Sequence, residues 1–94
     1  MHRDLKPENI VLKYKDKPFK DNTVKIVDFG LSAKKDDKLH CFVKCGTPGY
    51  AAPEVINSES DKIILYDTKC DIFSLGIIFF FMITGVMPYD GANF

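Results

Sequence analysis

Ninety-four residues can hold at most one small domain, and a hydrophobic share of 46% argues against a disordered chain. Thirteen basic residues balance thirteen acidic ones, so the formal net charge is zero, and the long-range field that recruits nucleic acid or an anionic membrane is missing. Cys41, Cys45 and Cys70 are odd in number and form no Cys-x-x-Cys pair, which excludes a disulfide scaffold and fits a reducing compartment. A redox switch using Cys41 and Cys45 is conceivable, and two ordinary loop thiols are the plainer reading.

The chain opens on His2-Arg3-Asp4-Leu5-Lys6-Pro7-Glu8-Asn9. A carboxylate, an ammonium and a carboxamide fall on one tight loop, with Arg3 the only arginine of the chain. Asp4 can take a proton from a hydroxyl, and Lys6 can neutralise charge on a phosphoryl group. Ile10-Val11-Leu12 and Val24-Lys25-Ile26-Val27 are short β-branched runs joined by a polar stretch containing Pro18 and Asn22, a pattern that predicts a β-hairpin. The hairpin would set Asn9 at its start and Asp28 just past its end, bringing together two oxygen donors of the hard kind that Mg²⁺ accepts beside phosphate. Gly30, two residues after Asp28, is expected to turn the chain. Five lysines from Lys13 to Lys25 read as a solvated loop, with a docking patch as the sharper alternative.

Residues 31–51 show no clean period and are expected to be loop; Pro53 to Asn57 is expected to form a short helix with proline in its first turn. Residues 57–67 read as a polar connection interrupted by Ile63-Ile64-Leu65. Thr68-Lys69-Cys70-Asp71 resembles a capping box, and from Ile72 to Ile83 nearly every residue is apolar before Gly85 and Pro88 stop the helix. An all-round apolar helix is a buried core helix or a membrane span. This run falls short of the roughly 18 apolar residues a span requires, so a central core helix is expected.

His2-Arg3-Asp4 with Asn9 five residues on, then Asp28-Phe29-Gly30, then Ala52-Pro53-Glu54, resembles the catalytic half of a eukaryotic-type serine/threonine protein kinase. The resemblance implies an α+β protein-kinase-like fold. Of that fold this chain would be a partial, mainly helical C-lobe fragment with one β-hairpin and the N-lobe absent. It divides into a catalytic loop (1–9), the β-hairpin (10–27), an activation segment (28–54) and a central buried helix (68–84). It also implies ATP and Mg²⁺ as cofactors and Ser/Thr hydroxyls of proteins as acceptors. By the same resemblance Asp4 orients and deprotonates the acceptor, Lys6 stabilises the migrating phosphoryl, and the Thr47 hydroxyl bridges the two. Asn9 and Asp28 hold the metal, Lys6 and Val11 complete the nucleotide contacts, and His2, Arg3, Phe29, Gly30, Glu54 and Asp71 are structural or regulatory. Asp71 is expected to receive backbone N–H groups near His2 and Arg3, and Glu54 to pair with an arginine far downstream. Gly46-Thr47-Pro48-Gly49-Tyr50 and Gly30-Leu31-Ser32 lean toward the calcium/calmodulin-dependent kinase-like branch.

Several positions depart from the family pattern. The connection between the strands is longer than usual, Phe73 stands where tryptophan is usual, and Val43 stands where a phosphoacceptor is usual. Arg3 beside Asp4 implies pairing with an activation-segment phosphate, yet only Ser32, Thr47 and Tyr50 carry hydroxyls between Asp28 and Glu54. Activity is therefore expected to be independent of phosphorylation there. With no leader before residue 2, a cytoplasmic or nuclear setting is expected, with no nucleic-acid or membrane partner. If Met1 initiates the chain there is no room for a glycine-rich phosphate cover, so a fragment of something longer is expected: unstable or insoluble and inactive alone, with Phe79, Phe80 and Phe81 left facing water where the resemblance implies covering helices. A non-catalytic pseudokinase or truncated regulatory module is the competing reading, although Asp4, Lys6, Asn9 and Asp28 are all present.

Overall fold

A computed structural model of the chain describes residues 1–41, 43–57 and 65–90. Pro7 sits at the first position of a 3₁₀ turn, Pro7–Asn9, where its missing N–H costs nothing. The turn delivers the chain into β1 (Ile10–Leu12), which pairs antiparallel with β2 (Val24–Ile26) in the register Ile10 to Ile26 and Leu12 to Val24. Backbone bonds from Lys13 N to Thr23 O (2.8 Å) and from Val27 N to Asn9 O (2.9 Å) extend the ribbon at both ends. The second of these ties the start of β1 to the exit of β2.

The connection between the strands is more ordered than its polar composition suggests. Asn22 acts as an internal strut: its Oδ1 accepts the Tyr14 and Thr23 N–H groups, and its Nδ2 donates to the Tyr14 and Lys17 carbonyls. A 3₁₀ turn, Phe19–Asp21, closes the loop.

Residues 31–41 and 43–51 are turns and irregular backbone, followed by α1 (Pro53–Ile56) and α2 (Lys69–Thr84). Ile63 and Ile64 lie outside the described residues; Leu65 is exposed. The buried cluster is Ala52, Val55, Tyr66 and Cys70, with Met1, Cys45 and Phe73 packed against it. It joins the end of the loop region to the first turn of α2, directly beneath residues 1–5. Cys41 and Cys45 are both free thiols, and the Cys41 sulfur donates to the Lys34 and Lys35 carbonyls.

Two expectations are corrected. The capping box over Thr68 and Asp71 does not form. Thr68 is itself helical (φ −59°, ψ −14°) with no side-chain cap, and the Asp67 carboxylate caps instead by accepting the Lys69 N–H at 2.8 Å. Asp71 is diverted because its oxygens meet stronger claims elsewhere in the fold. Second, α2 is not buried all round: Cys70, Ser74, Ile77 and Ile78 are inside, whereas Ile72, Leu75, Phe79, Phe80, Met82 and Ile83 are exposed, as expected for Phe79 and Phe80, with Phe81 half-buried. A 16-residue helix is about 24 Å long, and the contacts that hold it, from His2, Arg3, Tyr50, Tyr89 and the cluster around Tyr66, fall on its first turns. No helix among the described residues is long and apolar enough to cross a membrane. Gly30 turns the chain as expected, within the turn that the Ser32 N–H closes on the Phe29 carbonyl at 3.0 Å, and the left-handed residue ahead of it is Asp28, at φ 61°. A Cβ at Gly30 would sit 3.2 Å from the Asp28 carboxylate, a tight approach that this exposed side chain would have to yield to. At the far end Gly85 does end α2 in the left-handed conformation, φ 74°.

Candidate active site

The catalytic-loop backbone is set by Asp71 on α2. Its two carboxylate oxygens accept the N–H groups of His2 (2.8 Å) and Arg3 (2.9 Å), across a separation of nearly 70 residues. Arg3 takes φ 71°, a conformation costing an L-residue roughly 1–2 kcal/mol. Charge-assisted bonds to Asp71 offset that strain. His2 is buried and fixes the loop from the other side, its Nε2 meeting the Val27 carbonyl (2.9 Å) and its Nδ1 accepting the Asp4 N–H (3.1 Å). A carbonyl can only accept and an N–H can only donate, so the imidazole is the neutral tautomer with its proton on Nε2. Phe29 lies edge-on to that ring at 5.0 Å, linking residues 28–30 to the same loop.

On this frame the polar side chains converge. The Thr47 hydroxyl donates to Asp4 Oδ1 at 2.6 Å and accepts from the Lys6 ammonium at 3.0 Å. Lys6 Nζ is also 3.8 Å from Asp4 Oδ2. Asn9 Nδ2 donates to the Asp4 carbonyl at 2.8 Å and approaches Asp4 Oδ2 at 3.5 Å. Four residues, one of them forty positions downstream, thus form one hydrogen-bonded cluster. The Asp4 carboxylate is held on three sides while its side chain keeps 13% of its surface open to solvent.

Gly46 makes the approach of Thr47 possible. It has φ 94°, and a Cβ at that position would lie 2.8 Å from the Arg3 carbonyl oxygen, closer than atoms can pack. Glycine is therefore required where residues 45–50 cross the catalytic loop.

Asp28 joins the cluster through the backbone and not through its side chain. Val27 binds Asn9 across the ribbon, and the Asp28 Oδ1 accepts the Gly30 N–H at 3.2 Å, which settles the exposed carboxylate in a tight turn. Val11 is an exposed β1 residue opposite Lys25, and Glu54 lies in the first turn of α1. As for a metal, the Asn9 amide nitrogen is spent on Asp4, which leaves its Oδ1 as the side-chain atom that could ligate. Asn9 Oδ1 and the Asp28 carboxylate are both hard oxygen donors. Mg²⁺ keeps several waters and substrate phosphate oxygens, so a pair of protein ligands fits it. No three His, Cys, Asp or Glu side chains cluster as a self-sufficient metal cage among the described residues.

The guanidinium of Arg3 is occupied by neutral acceptors. Its Nε donates to the Leu31 carbonyl (2.6 Å), and its Nη1 donates to the His40 carbonyl (2.7 Å) and the Tyr66 hydroxyl (2.8 Å). Tyr66, which is buried, donates in turn to the Val43 carbonyl. Burial pushes its phenol up to about 12. Tyr66 was not visible as a site residue from the sequence, because it lies in a polar connection with no pattern around it. The one local signal is its position just ahead of the Asp67 cap. Ser74 is a second such residue: it is buried and donates to the Tyr50 carbonyl at 2.8 Å, fastening α2 to the segment that carries Thr47.

A paired ribbon with two oxygen donors at its open end lies beside a carboxylate bridged to a lysine through a hydroxyl, an arrangement whose groups are of the kind phosphoryl transfer uses. The family model for the protein kinase domain matches residues 1–93, and the chain belongs to that family. Calcium-dependent protein kinase 4 of Plasmodium berghei is 43% identical over 93 residues, covering 99% of this chain and 16% of that protein. Sperm motility kinase 2B of Mus musculus is 44% identical over 96 residues, covering 99% of this chain and 17% of the relative. CBL-interacting serine/threonine-protein kinase 2 of Arabidopsis thaliana is 41% identical over 97 residues, covering 98% and 19%. The chain thus spans about a sixth to a fifth of the length of these relatives.

Proposed function

We infer that this chain is the catalytic-loop part of a serine/threonine protein kinase, which moves the γ-phosphoryl group of ATP to hydroxyls of protein substrates. The observation that carries the reading is the Thr47 hydroxyl held between Asp4 and Lys6. The carboxylate in that arrangement is oriented to receive the proton of an incoming alcohol, and the Lys6 amine sits where negative charge would grow on the transferred group. Asn9 and Asp28 would hold magnesium, which supplies charge neutralisation at the nucleotide phosphates. Val11, on β1, would meet the nucleotide.

Lys6 two residues after Asp4, and the serine/threonine wording in a relative's name, support an alcohol acceptor of the Ser/Thr kind. In this reading the chain is a C-lobe piece without the N-lobe, inactive by itself, and works in the cytoplasm. Arg3, being filled by Leu31, His40 and Tyr66, holds the 31–45 segment with no phosphate on it.

A radiolabel transfer assay on the full-length polypeptide tests this. Asp4→Asn is expected to lower kcat at least about a hundredfold, in the range for loss of a general base, with nucleotide affinity nearly unchanged. Asn9→Ala and Asp28→Ala are expected to weaken magnesium-dependent nucleotide binding. Unaltered turnover in Asp4→Asn would overturn the reading, as would nucleotide binding indifferent to both Asn9 and Asp28.

A further inference from the structure

The loop that joins β1 to β2 lies at the opposite end of the ribbon from Asn9 and Asp28, about 10 Å away along three-residue strands. It carries a charge the rest of the chain lacks. Lys13, Lys15, Lys17, Lys20 and Lys25 stand against only Asp16 and Asp21 in a protein of zero net charge. All five lysines are exposed, and among the described residues none is in ion-pair range of a carboxylate.

Two features separate this loop from an ordinary solvated one. The first is order: the four bonds made by the Asn22 amide fix the backbone at Tyr14, Lys17 and Thr23. The ammonium groups of Lys13 and Lys17 lie 5.1 and 4.2 Å from the centre of the Tyr14 ring, a placement that holds cations in position before any partner arrives. The second is Phe19, 84% exposed at the loop tip and the most exposed large hydrophobic among the described residues. An aromatic ring offered to water amid fixed cations has the make-up of an interface anchor with a charged rim.

We propose that residues 13–25 form a docking platform for an acidic peptide segment of a partner protein, one whose carboxylates flank a bulky apolar side chain. The lysines meet the carboxylates and Phe19 meets the apolar group. A uniformly charged polyanion suits the loop less well, because Asp16 and Asp21 interrupt the basic surface and no field from the rest of the chain reinforces it. Where the partner is also the phosphorylated protein, which rests on the function proposed above, docking at the ribbon's far end would raise its local concentration at Asp4 without touching the reacting groups.

The test is direct binding to the full-length polypeptide without nucleotide, so that its result does not depend on catalysis. The probe is a fluorescein-labelled peptide with glutamates flanking a central leucine, read by anisotropy. Saturable binding is expected, weakened roughly tenfold by Lys15→Glu with Lys17→Glu and by Phe19→Ser, as for loss of interface anchors. Rising ionic strength should weaken it as well. Lys34→Glu with Lys35→Glu makes the same net-charge change on an exposed segment elsewhere and should leave binding intact. Circular dichroism confirms that each variant is folded. The proposal is overturned if the peptide does not bind saturably, or if the Lys34 and Lys35 reversal is as damaging as the platform reversal. Tighter platform-dependent binding of a single-stranded RNA or of phosphatidylserine vesicles would also overturn it.

Discussion

Both faces of α2 carry large apolar side chains, yet their fates are opposite. The inner face carries Cys70, Asp71, Ser74, Ile77 and Ile78 and is tied to the catalytic loop and to Tyr50; the outer face carries Ile72, Leu75, Phe79 and Ile83 and forms a bare apolar groove. The inner face is distinguished by two polar side chains among the apolar ones. Burial supplies most of the free energy of packing, whereas position is set by Asp71 and Ser74, whose bonds have direction. A groove of this size is the kind of surface that marks an interaction or a sticky fragment.

The contrast is broken most severely by removing Asp71. In the full-length polypeptide Asp71→Asn loses charged acceptors for two backbone N–H groups, at about 1.5–3 kcal/mol each. Unfolding free energy is therefore expected to fall by several kcal/mol and turnover with it, as read from denaturant melts and transfer assays. If Asp71→Asn proves as mild as Ile72→Ala, the inner face is held by packing alone. Gly46→Ala comes next. It combines left-handed strain of roughly 1–2 kcal/mol with a backbone clash against the Arg3 carbonyl, so it should separate Thr47 from Asp4 and raise the KM for protein substrate more than that for nucleotide. Tyr66→Phe is smaller. It removes the hydroxyl between Arg3 and Val43, is expected to cost about 1–2 kcal/mol, and should loosen residues 40–45 in hydrogen exchange. In the same assays phosphatase treatment of the unsubstituted protein should leave its rate unchanged.

Smaller again is an alkaline effect confined to the inner side. Burial pushes the Cys70 thiol up to about 12 from 9.0, helped by the Asp71 carboxylate, and Tyr66 up to about 12 from 10.0. Both groups hold their protons in the folded state after the unfolded chain has lost them. Their contribution is complete below pH 9 and is lost as pH rises toward 12. The melting temperature should drop across that window, and Cys70→Ala should flatten its lower part; an unchanged slope would remove Cys70 from the account. The outer face should contribute least to stability. Phe79→Lys with Ile83→Lys is expected to leave the fold of the isolated 94-residue chain intact and raise its soluble share several-fold in a sedimentation assay. Unchanged aggregation would show that the groove is not the sticky surface.

Much of the site could be read from the residues, because its chemistry depends on side-chain type at fixed short spacing. Asp4, Lys6 and Asn9 lie within one turn and a half of chain, and the alternation of β-branched runs around a polar stretch located the ribbon that brings Asp28 near Asn9. Local spacing failed where a side chain had two possible partners. Thr68 and Asp71 look like a cap, yet Asp71 serves residues far away in the chain and Asp67 takes over the helix end. Gly30 does turn the chain, and what its spacing left unread is that Asp28 ahead of it adopts the left-handed conformation, with its own carboxylate accepting the Gly30 N–H.

The kinds of groups present, their order and the strand and helix segments that carry them were thus determined by the amino-acid sequence, since hydrophobic period, proline and glycine act over a few residues. Tertiary structure alone decided that Tyr66 meets Arg3 and that Ser74 fastens α2 to Tyr50, whereas the Thr47 bridge between Asp4 and Lys6 was implied by the family resemblance and not by local spacing. Each of those outcomes depends on which distant segment arrives first within hydrogen-bonding or van der Waals range, and no local pattern encodes that distance.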